Sequence, residues 1–142
     1  MSQLRLAYGK LSPEAYNGLI QTSMALSKSS LGHIVELVYL RISQINGCAF
    51  CLDMHSTALR KAGYSQNKMD ILAGWRMAEP FDERERAALA WAEAVTDISY
   101  CGTSNELFAE LKTHFSDAEI ADLTFAISLM NAFNRMAISM RQ

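Results

Sequence analysis

From Leu31 to Asn46 the sequence carries apolar residues on nearly every side of a helix: Ile34, Val35, Leu37, Val38, Leu40, Ile42 and Ile45. A helix of that kind has no face to give to water and is buried. The rest of the chain reads as more helices. Ser12-Pro13-Glu14 offers an N-cap, a proline at the first helical position and an acid in the first turn, which opens a helix running to about Lys28. Lys28-Ser-Ser-Leu-Gly32 is a short loop, and Asn46-Gly47 is a turn dipeptide. A third helix starts near Cys48 and stops at Gly63; a fourth, capped by Ser65, runs to about Met77, where Glu79-Pro80 interrupts. Asp82-Glu-Arg-Glu85 has capping-box spacing and opens a fifth helix through Val95. Thr103-Ser-Asn-Glu106 opens a sixth, and Ser116-Asp-Ala-Glu119 opens a last one that runs almost to the C-terminus. Alternation of period two is missing throughout, so the expected class is all-α, with about seven helices.

At 142 residues the chain is expected to form one domain, residues 1–142, by the usual prior of about 100–200 residues per domain. A chain of this size can bury about 70% of its unfolded surface and needs no staple of disulfides or metal. The net charge is −2 and no basic patch stands out, which speaks against nucleic acid as a partner. The longest uncharged stretch, Ala15–Ser27, is too short to span a bilayer, which takes about 20 apolar residues. No apolar signal-peptide core is seen, and the three cysteines are an odd count. The expectation is a cytoplasmic protein with no membrane partner. Nothing in the sequence asks for a bound cofactor or a resident metal.

Two of the cysteines form Cys48-Ala-Phe-Cys51. At about 100° per residue, Cys51, His55, Ala58, Leu59 and Ala62 fall within about 80° of Cys48 on one helix face. Asp53, Ser56, Thr57, Arg60 and Lys61 fall on the other. Two thiols and an imidazole therefore point into the core, where polar groups must be satisfied and commonly have a task. Residues three apart on a helix can close a disulfide with modest adjustment. The first helical turn lowers thiol pKa, and His55 lies one turn beyond Cys51, within reach of its proton. A thiolate oxidised to a sulfenic acid can then condense with the second thiol. Other readings of the same residues are half of a zinc site and a pair of structural cysteines beside a satisfied core histidine. A thioredoxin-like motif would need a preceding strand, and the preceding segment reads as a helix.

The 20 residues from Glu36 to His55, Glu36-Leu-Val-Tyr-Leu-Arg41-Ile-Ser43-Gln-Ile-Asn46-Gly47-Cys48-Ala-Phe-Cys51-Leu-Asp-Met-His55, resemble the core motif of the alkylhydroperoxidase D-like (AhpD-like) family of the carboxymuconolactone decarboxylase superfamily. Weaker similarity reaches Trp75, Ala90-Trp91 and Asn131-Ala-Phe-Asn134-Arg135. The resemblance implies an all-helical fold, assembly into trimers or hexamers, and reduction of a hydroperoxide substrate at the Cys-x-x-Cys. The oxidised pair would be restored by a dithiol electron donor such as a lipoylated protein. By residue matching, Cys51 is the peroxidatic thiol, Cys48 the resolving thiol, and His55 part of a proton relay with Glu36 at its far end. The sequence departs from the best-known peroxidases of the family at Phe50, where they carry a second histidine, so one proton carrier is missing.

Glu36 also stands out on its own residues. A carboxylate among Val35, Leu37 and Val38 is costly unless paired, and the Asn46-Gly47 turn lets it approach His55 across two helices. The alternative is a surface acid at a subunit contact or beside His33. Cys101 reads as a bystander thiol, His33 and His114 as solvated or locally bonded, and Asp82–Arg86 as a solvated face. The last helix offers Phe125, Leu129, Phe133, Met136 and Met140 as an apolar stripe, and one domain of 142 residues is not expected to cover both that stripe and the helix from Leu31 to Asn46, so self-assembly is expected. Alternatives to the peroxidase are a disulfide reductase or decarboxylase-like relative, and a non-catalytic helical oligomer that senses redox state or binds zinc.

Overall fold

In the computed structural model, which describes residues 3–142, every regular element is a helix. In chain order these are α1 (Tyr8–Leu11), α2 (Pro13–Leu26), α3 (His33–Asn46), α4 (Ala49–Lys61), α5 (Gln66–Asp70), a 3-10 helix (Leu72–Met77), α6 (Glu83–Thr96), α7 (Ile98–Cys101), α8 (Asn105–His114) and α9 (Asp117–Met140). The expected all-α class holds. The expected fourth helix is instead two pieces, because the backbone leaves helical geometry at Ile71 and again at Gly74. The one-turn helices α1 and α7 carry too few residues to leave a periodic signal. No helix among the described residues is long and apolar enough to cross a membrane.

Helix α3 occupies the centre, packed against α4, α6 and α9. Its residues divide between two apolar clusters. Ile34, Val35, Val38, Tyr39 and Ile42 face α6, α8 and α9, where Trp91, Leu111, Leu123 and Ile127 meet them. Leu37 and Leu40 face the opposite side, against Leu59, Leu72, Trp75 and Leu89. This two-sided burial accounts for an apolar pattern that runs round the helix. Each fully buried Leu or Ile side chain contributes about 1.5–3 kcal/mol over exposure.

Glycine ends α3. Gly47 has φ of 73°, a left-handed conformation that costs residues with a Cβ, and its N–H bonds the carbonyl of Ser43 at 2.9 Å. The chain reverses there, and α4 returns along α3. Capping boxes open α6 (Asp82 with Glu85) and α9 (Ser116 with Glu119), as the spacing predicts.

Two surface expectations are corrected. Asp82–Arg86 is not a solvated run, because Glu85 is 1% exposed. Its carboxylate accepts from Lys68 Nζ at 2.8 Å and Tyr64 Oη at 3.0 Å, and lies 3.1 Å from His33 Nε2. His33 is thus tied to α6, 52 residues on, while its side chain stays open to solvent as expected. The apolar stripe on α9 is also narrower than expected. Leu129 is buried, Phe133, Met136 and Met140 are half-buried, and only Phe125 of the five is exposed; Ile138 joins it.

Candidate active site

Helix α4 positions the thiols. Cys48 is its N-cap, in extended conformation, and its Sγ accepts the backbone N–H of Cys51 at 3.3 Å. Cys51 sits in the first turn, so both sulfurs lie where the orphan amides and the helix dipole favour negative charge. The two are joined as a disulfide with a Cα–Cα distance of 5.3 Å. Each is 2% exposed, and together they pack on Ala137 of α9. The inward placement expected of Cys48, Cys51 and Leu59 is therefore observed, whereas Ala62, expected on the same face, is exposed at the helix end.

His55, one turn on, is 4% exposed. Its Nδ1 lies 2.7 Å from Oε2 of Glu36, so the carboxylate accepts and Nδ1 carries the hydrogen. That leaves Nε2 as the acceptor nitrogen in the neutral ring, and Nε2 is buried with no hydrogen-bond partner. The Glu36 side chain is 37% exposed. The predicted approach of Glu36 to His55 across the α3–α4 interface is thus formed. Glu36 is not in a dry place, however; it opens onto a cavity.

That cavity has a volume of about 330 Å³. Its polar end is Glu36, His55, Cys51 and Tyr39; its apolar walls include Ile20, Phe50, Met54, Met130 and Phe133. Tyr8, Tyr16 and Gln142 close one side. Cys48 is not among the lining residues, so of the two sulfurs it is Cys51 that the cavity reaches. The wall at Phe50 is hydrocarbon. The N-terminal segment is held over this region by α9: Arg5 donates its backbone N–H to the carbonyl of Met140 at 2.8 Å, and Tyr8 Oη bonds Gln142.

Sequence reasoning missed Tyr39. Its ring centroid lies 5.1 Å from that of His55, and its hydroxyl is buried without a partner. Burial, followed by the nearby Glu36 charge, pushes its phenol far above the ordinary range. The available signal was its place three residues after Glu36, on the same helical face. A phenol on an otherwise apolar helix carries one polar atom that needs a partner. Behind the disulfide lies an amide network: Asn46 Nδ2 donates to Asn131 and Asn134, each at 3.0 Å, and Asn134 donates to Ser43 Oγ at 3.1 Å. It ties the last turn of α3 to α9 just before the Gly47 reversal. Among the described residues no group of three or more His, Cys, Asp or Glu side chains is gathered as a metal site. Cys101 is free and exposed.

A model of the carboxymuconolactone decarboxylase family matches residues 13–94. The uncharacterized protein YdfG of Bacillus subtilis is 33% identical over 141 residues, covering 99% of this chain and 95% of that protein. YnjA of Escherichia coli is 32% identical over 114 residues, 80% of this chain and 62% of its own length. Among solved structures, one from Agrobacterium tumefaciens, a protein of unknown function and candidate antioxidant defence protein AhpD, superposes with a TM-score of 0.93 at 40% identity, covering 99% of this chain and 97% of that one. A peroxidase-related protein from Silicibacter superposes with a TM-score of 0.81 at 26% identity, covering 92% and 70%.

Proposed function

This chain belongs to the carboxymuconolactone decarboxylase family, in its AhpD-like branch, and from that premise we propose that it is a thiol-dependent peroxidase acting through a Cys48–Cys51 dithiol/disulfide cycle. The observation that carries the reading is the cavity that reaches Cys51 but not Cys48 and ends on the Glu36–His55 pair. It supports an unequal division of labour between the thiols.

In the reduced form, His55 Nε2 takes the proton of the Cys51 thiol, while Glu36 holds Nδ1–H and so fixes the tautomer and steadies the imidazolium. The Cys51 thiolate attacks the terminal oxygen of a hydroperoxide R–O–OH. The S–O bond forms as the O–O bond breaks, sulfur gives two electrons, and the departing RO⁻ takes the proton back from Nε2 as ROH. The Cys48 thiol then attacks the Cys51 sulfenic acid, forming the disulfide and releasing water. A dithiol donor, such as a lipoylated protein, reduces the pair by exchange through a mixed disulfide. The cycle suits a reducing, cytoplasmic setting and an antioxidant role. Self-assembly into a trimer or hexamer belongs to the same reading, and Phe125 at 64% exposure, with Phe50 and Met54 half-exposed at the cavity, offers apolar surface for it.

The test is peroxide consumption by the reduced protein with a dithiol donor. Cys51→Ser should abolish turnover. Cys48→Ser should allow a single oxidation, trapped at Cys51 as sulfenic or sulfinic acid and visible by mass spectrometry after one equivalent of peroxide. Normal turnover by Cys48→Ser would refute the resolving role, and turnover by Cys51→Ser would refute the mechanism.

A further inference from the structure

Two buried side-chain polar atoms among the described residues have no hydrogen-bond partner: Tyr39 Oη and His55 Nε2. Both residues line a cavity that Cys51 also lines, and their rings lie 5.1 Å apart. A buried hydroxyl without a partner destabilises the fold, so native structures seldom keep one without a use. The imidazole nitrogen has an assigned task in the thiol proton transfer. The phenol has none. Phe50, which lines the same cavity, has only carbon in its side chain and offers no side-chain donor to a bound oxygen.

We propose that Tyr39 is a substrate-contacting residue whose hydroxyl donates a hydrogen bond to the leaving oxygen of the bound hydroperoxide. This rests on the peroxidase reading and adds a residue to it. As Cys51 Sγ bonds the terminal oxygen and the O–O bond breaks, negative charge collects on the oxygen attached to carbon. The Tyr39 O–H stabilises that charge as an oxyanion donor does. The proton that completes ROH comes from His55 Nε2, which took it from the Cys51 thiol, so the count of protons is unchanged by Tyr39. The phenol keeps its own proton throughout, since burial and then the Glu36 charge hold it far above the ordinary range.

The experiment uses the full chain, reduced, as wild type and Tyr39→Phe. Second-order rate constants for Cys51 oxidation are measured with tert-butyl hydroperoxide, hydrogen peroxide and peracetic acid. Alkylation of Cys51 by iodoacetamide and the melting temperature of the disulfide form are measured alongside. Tyr39→Phe should slow oxidation by tert-butyl hydroperoxide by about 10²-fold, the lower end for loss of one oxyanion donor. The loss should shrink with peracetic acid, whose carboxylate leaving group needs little help. Alkylation should be unchanged, and the melting temperature equal or higher, because an orphaned hydroxyl has been removed. Wild-type oxidation rates in Tyr39→Phe with all three oxidants would overturn the assignment of Tyr39 alone. So would an equal loss with all three accompanied by slower alkylation or a lower melting temperature, the pattern of a structural residue. A wild-type protein inert to all three would overturn the peroxidase reading, and this proposal with it.

Discussion

Glu36 lies 2.7 Å from His55 Nδ1 and, at the same time, half-open to the cavity. The first fact fixes the imidazole tautomer. The second gives the carboxylate access to the cavity that Cys51 also lines. Glu36→Gln keeps the size and one acceptor but removes the charge that favours imidazolium. The expected outcome is a Cys51 alkylation profile displaced to higher pH than wild type, with far-UV dichroism unchanged. Peroxide reduction should fall by about 10²–10⁴-fold, the usual worth of a general acid–base partner, and the deficit should shrink as pH rises. Superimposable alkylation profiles would make Glu36 a structural acid. At this scale the sequence was informative wherever chemistry broke a pattern. Two thiols and an imidazole on an apolar face, and one carboxylate in an apolar helix, were visible as exceptions. Tyr39 was not, because a phenol satisfies the apolar pattern with its ring and hides its hydroxyl.

Among the elements, α6 shows how a local signal can be read correctly and its environment misjudged. The capping box at Asp82 and Glu85 was legible from spacing. The burial of Glu85 was not, since it depends on α3 and α5, distant in sequence, folding His33 and Lys68 over it. Burial alone would raise the Glu85 carboxyl. Hydrogen bonds from Lys68, the Asp82 backbone, His33 and Tyr64 outweigh it and hold the carboxyl below its ordinary value of 4.5. A depressed acid stabilises the fold above its unfolded pKa and ceases to as pH falls through its folded one. Stability should therefore decline as pH drops below about 4.5. Glu85→Gln should lower the unfolding free energy by about 3 kcal/mol at pH 7, the scale for breaking a buried pair. Its acid limb should be flatter, the two curves converging at low pH. Urea denaturation from pH 7 to pH 3 measures this; parallel curves would refute it. The split of the expected fourth helix has a nearer origin. Arg86, eight to eleven residues on, reaches from α6 to the carbonyls of Trp75 and Ala78 and fastens the 3-10 turn there, and a side-chain reach of that kind leaves no mark on the apolar periodicity.

For the whole molecule, the sequence exposed the main architectural fact, a helix apolar on all sides, but suggested that other copies were needed to cover it. The chain covers α3 itself, through two clusters on opposite sides. The remaining case for self-assembly rests on exposed apolar side chains such as Phe125, Ile138, Phe50 and Met54. Light scattering should return at least three times 15.8 kDa, about 47 kDa, at micromolar concentration. A value near 16 kDa would remove assembly from the account. The central placement of α3 bears as well on how the subunit comes apart. Because neither cluster can lose α3 and stay packed, the two sides cannot melt in turn. In hydrogen–deuterium exchange, the amides of Leu37, Val38 and Ile42 should open only with global unfolding, with equal free energies whichever side they face. Amides of the N-terminal segment, fastened to the end of α9 by a few bonds, should exchange through local fluctuations at far lower cost. The dithiol sits between the two, on a helix packed against α3 and beside a cavity that Tyr8 of the N-terminal segment lines. A sulfur chemistry that needs fixed distances and a way in would take the first from α3 and the second from that cavity.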